Sequence, residues 1–302
     1  MSGLSFSTDA RPLGKSGRDV SPLAWGMWRF AGDDLRAARA KIDAALEIGI
    51  SFFDTADIYG PDNGEPFGAA EALLGRVFAE DRSLRERMVL ASKGGISMGV
   101  PYDSSAGYIA SAIDASLTRL GVERIDLWQI HRPDILTHPH EAAGALEAAL
   151  AAGKIGAIGV SNYTVTQTQA LSAFLDTPLA SIQPELSPLA LTPVEDGTLD
   201  LAMQQGLTVL AWSPLGQGRI GNPVDERSRA VAAALDAQAA KTGVSRTAAA
   251  YSWIMAHPAR PIPIVGTQTP ARIREAADAF KVQWTRQDWY AVLIASRGEP
   301  LP

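Results

Sequence analysis

The sequence contains no cysteine. That excludes disulfides, thiolate nucleophiles, iron–sulfur clusters and cysteine-based zinc sites. Long hydrophobic runs are missing too, so no segment reads as crossing a bilayer and no membrane partner is expected. Met1-Ser2-Gly3-Leu4-Ser5 carries no basic segment followed by an apolar one, which reads as no secretory leader. No dense Lys/Arg run occurs and the formal net charge is -6, which argues against nucleic acid as a partner. Histidine is scarce, with four in the chain. Gly14-Lys15-Ser16-Gly17 is not a phosphate loop, because position 9, where the motif needs a glycine, is Asp. What remains is an ordinary globular composition, 46% hydrophobic and 20% charged over 302 residues. The expectation is a cytoplasmic protein, monomeric or weakly homo-oligomeric, forming one domain over residues 1–302.

Eight short apolar segments punctuate the chain: 22–28, 50–53, 88–93, 125–131, 155–160, 180–186, 207–211 and 262–265. Helical patterns lie between them. One opens at Asp33-Asp34, with Leu35, Ala38, Ile42, Ala45 and Leu46 in step; others fall near 67–79, 104–120, 140–152, 164–174, 196–205, 226–241, 245–256, 270–280 and 285–296. Such alternation implies parallel strands joined by helical crossovers. Eight units predict a closed α/β fold, the (β/α)8 TIM barrel, with an N-terminal β-hairpin tipped at 14–17 and an extra C-terminal helix. The runner-up is an open doubly wound sheet, but no Gly-x-Gly-x-x-Gly follows the first strand.

The polar residues fall where the strands run out. In order they are Asp54 with Tyr59, Lys93, His131, Ser161 with Asn162, Gln183, Trp212 with Ser213, and Thr267. In a parallel barrel all strand C-termini open on one face, so these scattered residues converge. A phenol has a pKa of about 10 and is a poor acid at neutral pH. A nearby ammonium favours phenolate, which predicts a lowered value for Tyr59 beside Lys93. Asp54 then holds the lysine charged and in place, and His131 bonds a substrate oxygen. The set describes a general acid aimed at an oxygen that gains negative charge, as in carbonyl reduction.

The stretch Asp54-Thr55-Ala56 to Tyr59-Gly60, the Ser92-Lys93 strand end and Ile130-His131-Arg132-Pro133-Asp134 resemble the aldo-keto reductases. So do Gly159-Val160-Ser161-Asn162-Tyr163, Gln183-Pro184-Glu185, Ala211-Trp212-Ser213-Pro214-Leu215-Gly216 and Pro263-Ile264-Val265-Gly266-Thr267, in order along nearly the whole chain. The pattern around His131 and Trp212 is closer to bacterial members than to the mammalian aldose-reductase branch. The resemblance implies an NADPH-dependent oxidoreductase acting on a small aldehyde or ketone. Tyr59, Lys93, Asp54 and His131 match the family's tetrad, with Tyr59 the proton donor. Ser161, Asn162 and Gln183 match its clamp on the nicotinamide carboxamide, and Trp212 its stacking aromatic. Ser213, Leu215, Gly216, Gln217 and Gly218 match the pyrophosphate loop. Gly266, Thr267, Gln268 and Arg272 match the region holding the adenosine 2′-phosphate. A lysine often stands where Gly266 is, so NADP(H) is expected with NAD(H) possible. Trp28 matches an aromatic wall of the substrate pocket beside Tyr59 and His131; Met27, Phe30, Ile58 and the loop after His131 lie near it.

Two other functions fit parts of the chain. One is a non-catalytic NADP(H)-binding barrel, a sensor or partner subunit, which has no need of a Tyr–Lys pair. The other is a metal-dependent barrel hydrolase built on His131 and the His138-Pro139-His140 motif. His138 and His140, however, precede a helix rather than end a strand, and the expectation is no metal.

Overall fold

Side chains alternate between the two faces of a strand. Phe52 and Phe53 are adjacent, yet both are fully buried. Phe52 packs with Ala24, Val89, Ala91, Leu127 and Leu210, while Phe53 packs with Trp25, Leu90, Trp128 and Val209. Two separate apolar clusters on opposite faces require that both faces of the sheet be covered.

A computed structural model supplies that arrangement and describes Gly3, Leu4 and residues 7–301. The reading of Met1 to Ser5 as leaderless falls partly outside the described residues. Eight parallel strands form a closed barrel. In chain order they are β1 (Ala24–Gly26), β2 (Phe52–Asp54), β3 (Val89–Gly94), β4 (Leu127–Ile130), β5 (Ile158–Ser161), β6 (Ser181–Gln183), β7 (Thr208–Ala211) and β8 (Ile262–Val265). Ile264 and Val265 pair with Ala24 and Trp25, which closes the ring. Most strands are shorter than their apolar segments: the first is three residues rather than the seven of 22–28. Apolar character tracks burial, and burial continues past the last ladder hydrogen bond.

Helices coat the outside, and several of them start on side-chain caps. Asp34 accepts from Ala37 N–H ahead of Leu35–Glu47, and Thr164 forms a reciprocal capping box with Gln167 ahead of Val165–Ser172. The segment expected as one helix near 270–280 is α-helical over Pro270–Glu275 and tightens to 3₁₀ over Ala276–Lys281. The C-terminal helix Arg286–Arg297 docks through a reciprocal pair: the Trp253 and Trp289 indoles stack at 4.6 Å, and each N–H donates to the other's backbone carbonyl at 3.0 Å. A short ribbon missed in the sequence pairs Gly3–Leu4 with Trp284–Thr285.

The hairpin of Arg11–Pro12 and Asp19–Val20 seals the N-terminal end of the barrel. Its Leu13 and Val20 join the inner cluster. Gly14 approaches so closely that a Cβ would stand 2.5 Å from the Ala180 backbone, and its φ of +52 favours glycine independently. With that end plugged, the mouth at the strand C-termini is where polar groups gather. Among the described residues, no helix is long and apolar enough to cross a membrane.

Candidate active site

Parity along the strands decides which polar residues meet. On β2, Phe52 faces inward, so Asp54 does too; on β3, Val89 and Ala91 face inward, so Lys93 follows. From Leu127 the same count of two brings Gln129 and then His131 inside. Hydrogen bonds connect Asp54, Lys93 and Gln129, while His131 Nδ1 has no partner among the described residues. Lys93 Nζ donates to Asp54 Oδ2 at 2.7 Å and to the Thr55 carbonyl at 2.7 Å. Gln183 Nε2 donates to Asp54 Oδ1 at 3.0 Å, and Gln129 Nε2 reaches the same oxygen at 3.5 Å. Gln129 Oε1 in turn accepts from Ser181 Oγ. Ser92, of opposite parity, points outward and donates to Glu71 on the helix shell.

Tyr59 lies over this buried pair. Its ring centroid is 5.0 Å from Lys93 Nζ and 5.9 Å from the His131 ring, at an edge-on 79°. Burial alone would pull the Lys93 ammonium down, but Asp54 and Tyr59 outweigh it and the net shift is upward. The expected lowering of the Tyr59 phenol does not hold. Burial pushes it above 10, and the downward pull of Lys93 is the smaller effect. Burial, with Lys93 and Arg132 adding, holds His131 well below 6.5, so its imidazole is neutral at pH 7. The arrangement can present a protonated phenol and a neutral imidazole to one bound oxygen.

The residues expected around a nicotinamide are together but largely bonded to one another. Ser161 Oγ donates to the Gln183 carbonyl at 2.9 Å. Asn162 Nδ2 donates to Ser161 Oγ and to the His131 carbonyl, and its Oδ1 accepts from Trp212 Nε1 at 2.9 Å. Asn162 thus holds Trp212 in place rather than leaving its amide free, while Gln183 Oε1 keeps acceptor capacity. The Arg132 guanidinium lies 5.7 Å from the Trp212 ring centroid. Asn162, Ser213 and Gln217 all have φ between 48 and 60; among the described non-glycine residues Arg260 alone shares that conformation. Three of these four residues gather at the mouth, which points to a geometry set for something other than packing.

In the loop from Ser213 to Gly218, the N–H groups of Gly216 and Gly218 are taken by the carbonyls of Ser213 and Leu215. Those of Ser213, Leu215 and Gln217 make no hydrogen bond among the described residues. A row of alternating free N–H groups suits an anion. At the end of β8, the exposed Gly266 has open space where a side chain would project, and Arg272 is exposed without an ion pair among the described residues. Gln268 turns away: its Nε2 donates to the Gly26 carbonyl and its Oε1 is buried, so it offers no donor outward. Thr267 is half-buried; its carbonyl accepts from Trp25 Nε1 and its hydroxyl from Thr269 N–H.

Around the mouth, Trp28 is 44% exposed and its indole N–H is fixed by Asp62 at 3.0 Å. Met27 and Phe30, expected near the pocket, are buried in the outer core instead. Ile135 and Leu136, in the loop after His131, are fully presented to solvent. The His138 motif caps a helix: His138 Nδ1 accepts from His140 N–H ahead of Pro139–Ala151. Among the described residues no three of His, Cys, Asp or Glu are grouped as metal ligands. Sequence reading passed over Gly95-Ile96-Ser97-Met98-Gly99, which has nucleophile-elbow spacing. It lies in the loop past β3, and Ser97 shares no hydrogen bond with a histidine among the described residues. Gln129 was also missed, although its signal was available: it sits two residues before His131, on the same face.

The model of the Aldo/keto reductase family matches residues 22–295. The chain belongs to that family. It is an oxidoreductase of the family, whose members generally bind a nicotinamide cofactor and act on small carbonyl compounds. Among its relatives, a 6-dehydroglucose reductase of Novosphingobium aromaticivorans is 58% identical over the full length of both chains. A 6-dehydroglucose reductase of Agrobacterium fabrum is 36% identical, covering 93% of this chain and 96% of its own. The glycerol dehydrogenase structure from Gluconobacter oxydans superposes with a TM-score of 0.84 at 28% identity, covering 98% of each chain.

Proposed function

We propose that this reductase converts the aldehyde of a small hydroxylated compound, a dehydro-sugar, to the alcohol with NADPH. Tyr59 gives the proton to the carbonyl oxygen. The observation that carries this reading is the buried Lys93–Asp54 pair beneath Tyr59, with a neutral His131 edge-on to the same ring. A pair so buried has no need of a phenol beside it unless the phenol's proton is used. The full-length similarity to two 6-dehydroglucose reductases supports the substrate class.

The residues fit a dinucleotide. Gln183 Oε1 offers an acceptor to the carboxamide, Trp212 a ring braced by Asn162, and Ser213, Leu215 and Gln217 free N–H groups for the pyrophosphate. Arg272 supplies a cation for a 2′-phosphate; the open Gly266 and inward-turned Gln268 leave it to act alone. When bound, the nicotinamide supplies the hydride. Lys93, kept charged by Asp54, stabilises the phenolate that forms as the proton leaves. His131 donates a hydrogen bond to the carbonyl oxygen as charge builds there.

Turnover is tested by following NADPH and NADH oxidation with dehydro-sugars, simple aldehydes and ketones. Saturable reduction, strongest for hydroxylated aldehydes and NADPH, is expected. No consumption of any carbonyl, with cofactor bound, would favour a non-catalytic binder.

A further inference from the structure

Asp57 stands between the two ends of the site, three residues after Asp54 and two before Tyr59. It is 1% exposed, and neither carboxyl oxygen has a hydrogen-bond partner among the described residues. Its backbone N–H donates to the Lys93 carbonyl at 2.9 Å, which pins it to the end of β3. The side chain packs tightly there: a Cβ on Gly94 would stand 2.9 Å from Oδ2. The charged and titratable groups around it are Lys93 on β3, Glu71 on Ala69–Glu80, Arg119 and Tyr108 on Ala106–Leu120, and Tyr59 on its own loop.

The nearby cations are already matched. Lys93 is held by Asp54 at 2.7 Å, and Arg119 by Glu71 at 2.7 Å. An ionised Asp57 is therefore a third buried carboxylate with no cation of its own, and the pull of the adjacent Ile58 N–H is smaller than the push of burial. Buried carboxylates in that position take up a proton.

We propose that Asp57 is a positioning residue, kept as a neutral carboxylic acid during carbonyl reduction, and that its ionisation makes Tyr59 a weaker acid. The proposal rests on Tyr59 being the proton donor. Burial, with Glu71 adding, pushes Asp57 up to about 8, while Arg119 pulls the other way. The charge of Asp57 in turn raises Tyr59. As pH rises through about 8, Asp57 loses one proton to solvent and leaves a negative charge beside the phenol. Tyr59 then holds its own proton more tightly and gives it up to the carbonyl more slowly. Reduction falls in a step of about threefold to tenfold while Tyr59 is still protonated.

The test compares kcat for reduction from about pH 6 to 10 in wild type and Asp57→Asn. Asparagine keeps the shape and stays neutral, so the step near pH 8 disappears and the rate stays level until the phenol itself ionises. A purely structural role would scale the rate equally at every pH and leave the step in place, which overturns the proposal. Carbon-13 NMR of wild type labelled at aspartate carboxyls stands even if the variant fails to fold. One resonance titrating near pH 8 supports the proposal, and none titrating above about pH 6.5 overturns it. Tyr59→Phe separates the two readings. If it still reduces carbonyls, the proton donor is misassigned. If it does not, but the step persists in Asp57→Asn, the Asp57 inference alone fails.

Discussion

Lys93→Met removes a charge while nearly keeping the side chain's shape. Both Lys93 and Asp54 are buried, and the substitution deletes two hydrogen bonds of 2.7 Å, one to Asp54 and one to the Thr55 carbonyl. Both have the ionised ammonium as donor, and a hydrogen bond of that kind is worth about 1.5–3 kcal/mol net. The larger consequence is the stranded Asp54, which keeps only its amide donors from Gln183 and Gln129. Breaking a buried ion pair from one side costs about 3–5 kcal/mol. Asp54→Leu combined with Lys93→Met removes both charges, and the pair as a whole is worth far less than either broken half. The double variant is therefore expected to be more stable than Lys93→Met alone, with a coupling of about 2 kcal/mol or more. Urea unfolding of wild type, both single variants and the double variant gives the cycle. If Lys93→Met lies within about 1 kcal/mol of wild type, or the two single effects simply add, then the site is wetter or looser than described.

Other consequences follow from the same geometry. His131 is depressed in the folded state, so the unfolded chain binds more protons below pH 6.5 and folded stability falls as pH drops through that value. His131→Asn should lessen that acid loss, and the His131 ring proton should show no NMR titration between about pH 6 and 8. Gly266→Lys has open space for its side chain and adds a cation beside Arg272's region; NADPH affinity should rise about twofold to fivefold at low salt with NADH unchanged, measured by fluorescence titration. Gly14→Val meets the Ala180 backbone and a left-handed φ, and should lower stability by about 1–3 kcal/mol by thermal unfolding without changing cofactor affinity.

The barrel was legible because its strands are buried on both faces, which leaves short continuous apolar runs that helix periodicity cannot mimic. Asp54, Lys93 and His131 were legible because each ends such a run, and Gln183 because it stands as a polar residue inside one; parallel strands carry their ends to one place. What side chains do after arriving was not legible. Asn162 was expected to face a ligand, yet its two amide atoms are engaged by Ser161, His131 and Trp212. Gln268 turns back onto Gly26 because β1 and β8 are neighbours, a contact between residues 242 positions apart. The direction of the Tyr59 shift was missed for a related reason: the presence of lysine can be read from sequence, whereas the depth of burial that outweighs it depends on the closed barrel. Asp57 gave no signal, since only the packed helices bearing Glu71 and Arg119 make its loop position a dry one.

The central claim is that Tyr59 delivers the proton. Tyr59→Phe deletes one oxygen and leaves the Lys93–Asp54 pair and the nicotinamide-side residues in place. Paired titration and turnover measurements on this variant should show NADPH affinity within about twofold of wild type and reduction slowed about 10²- to 10⁴-fold. Reduction at near wild-type rate with cofactor bound would contradict the account.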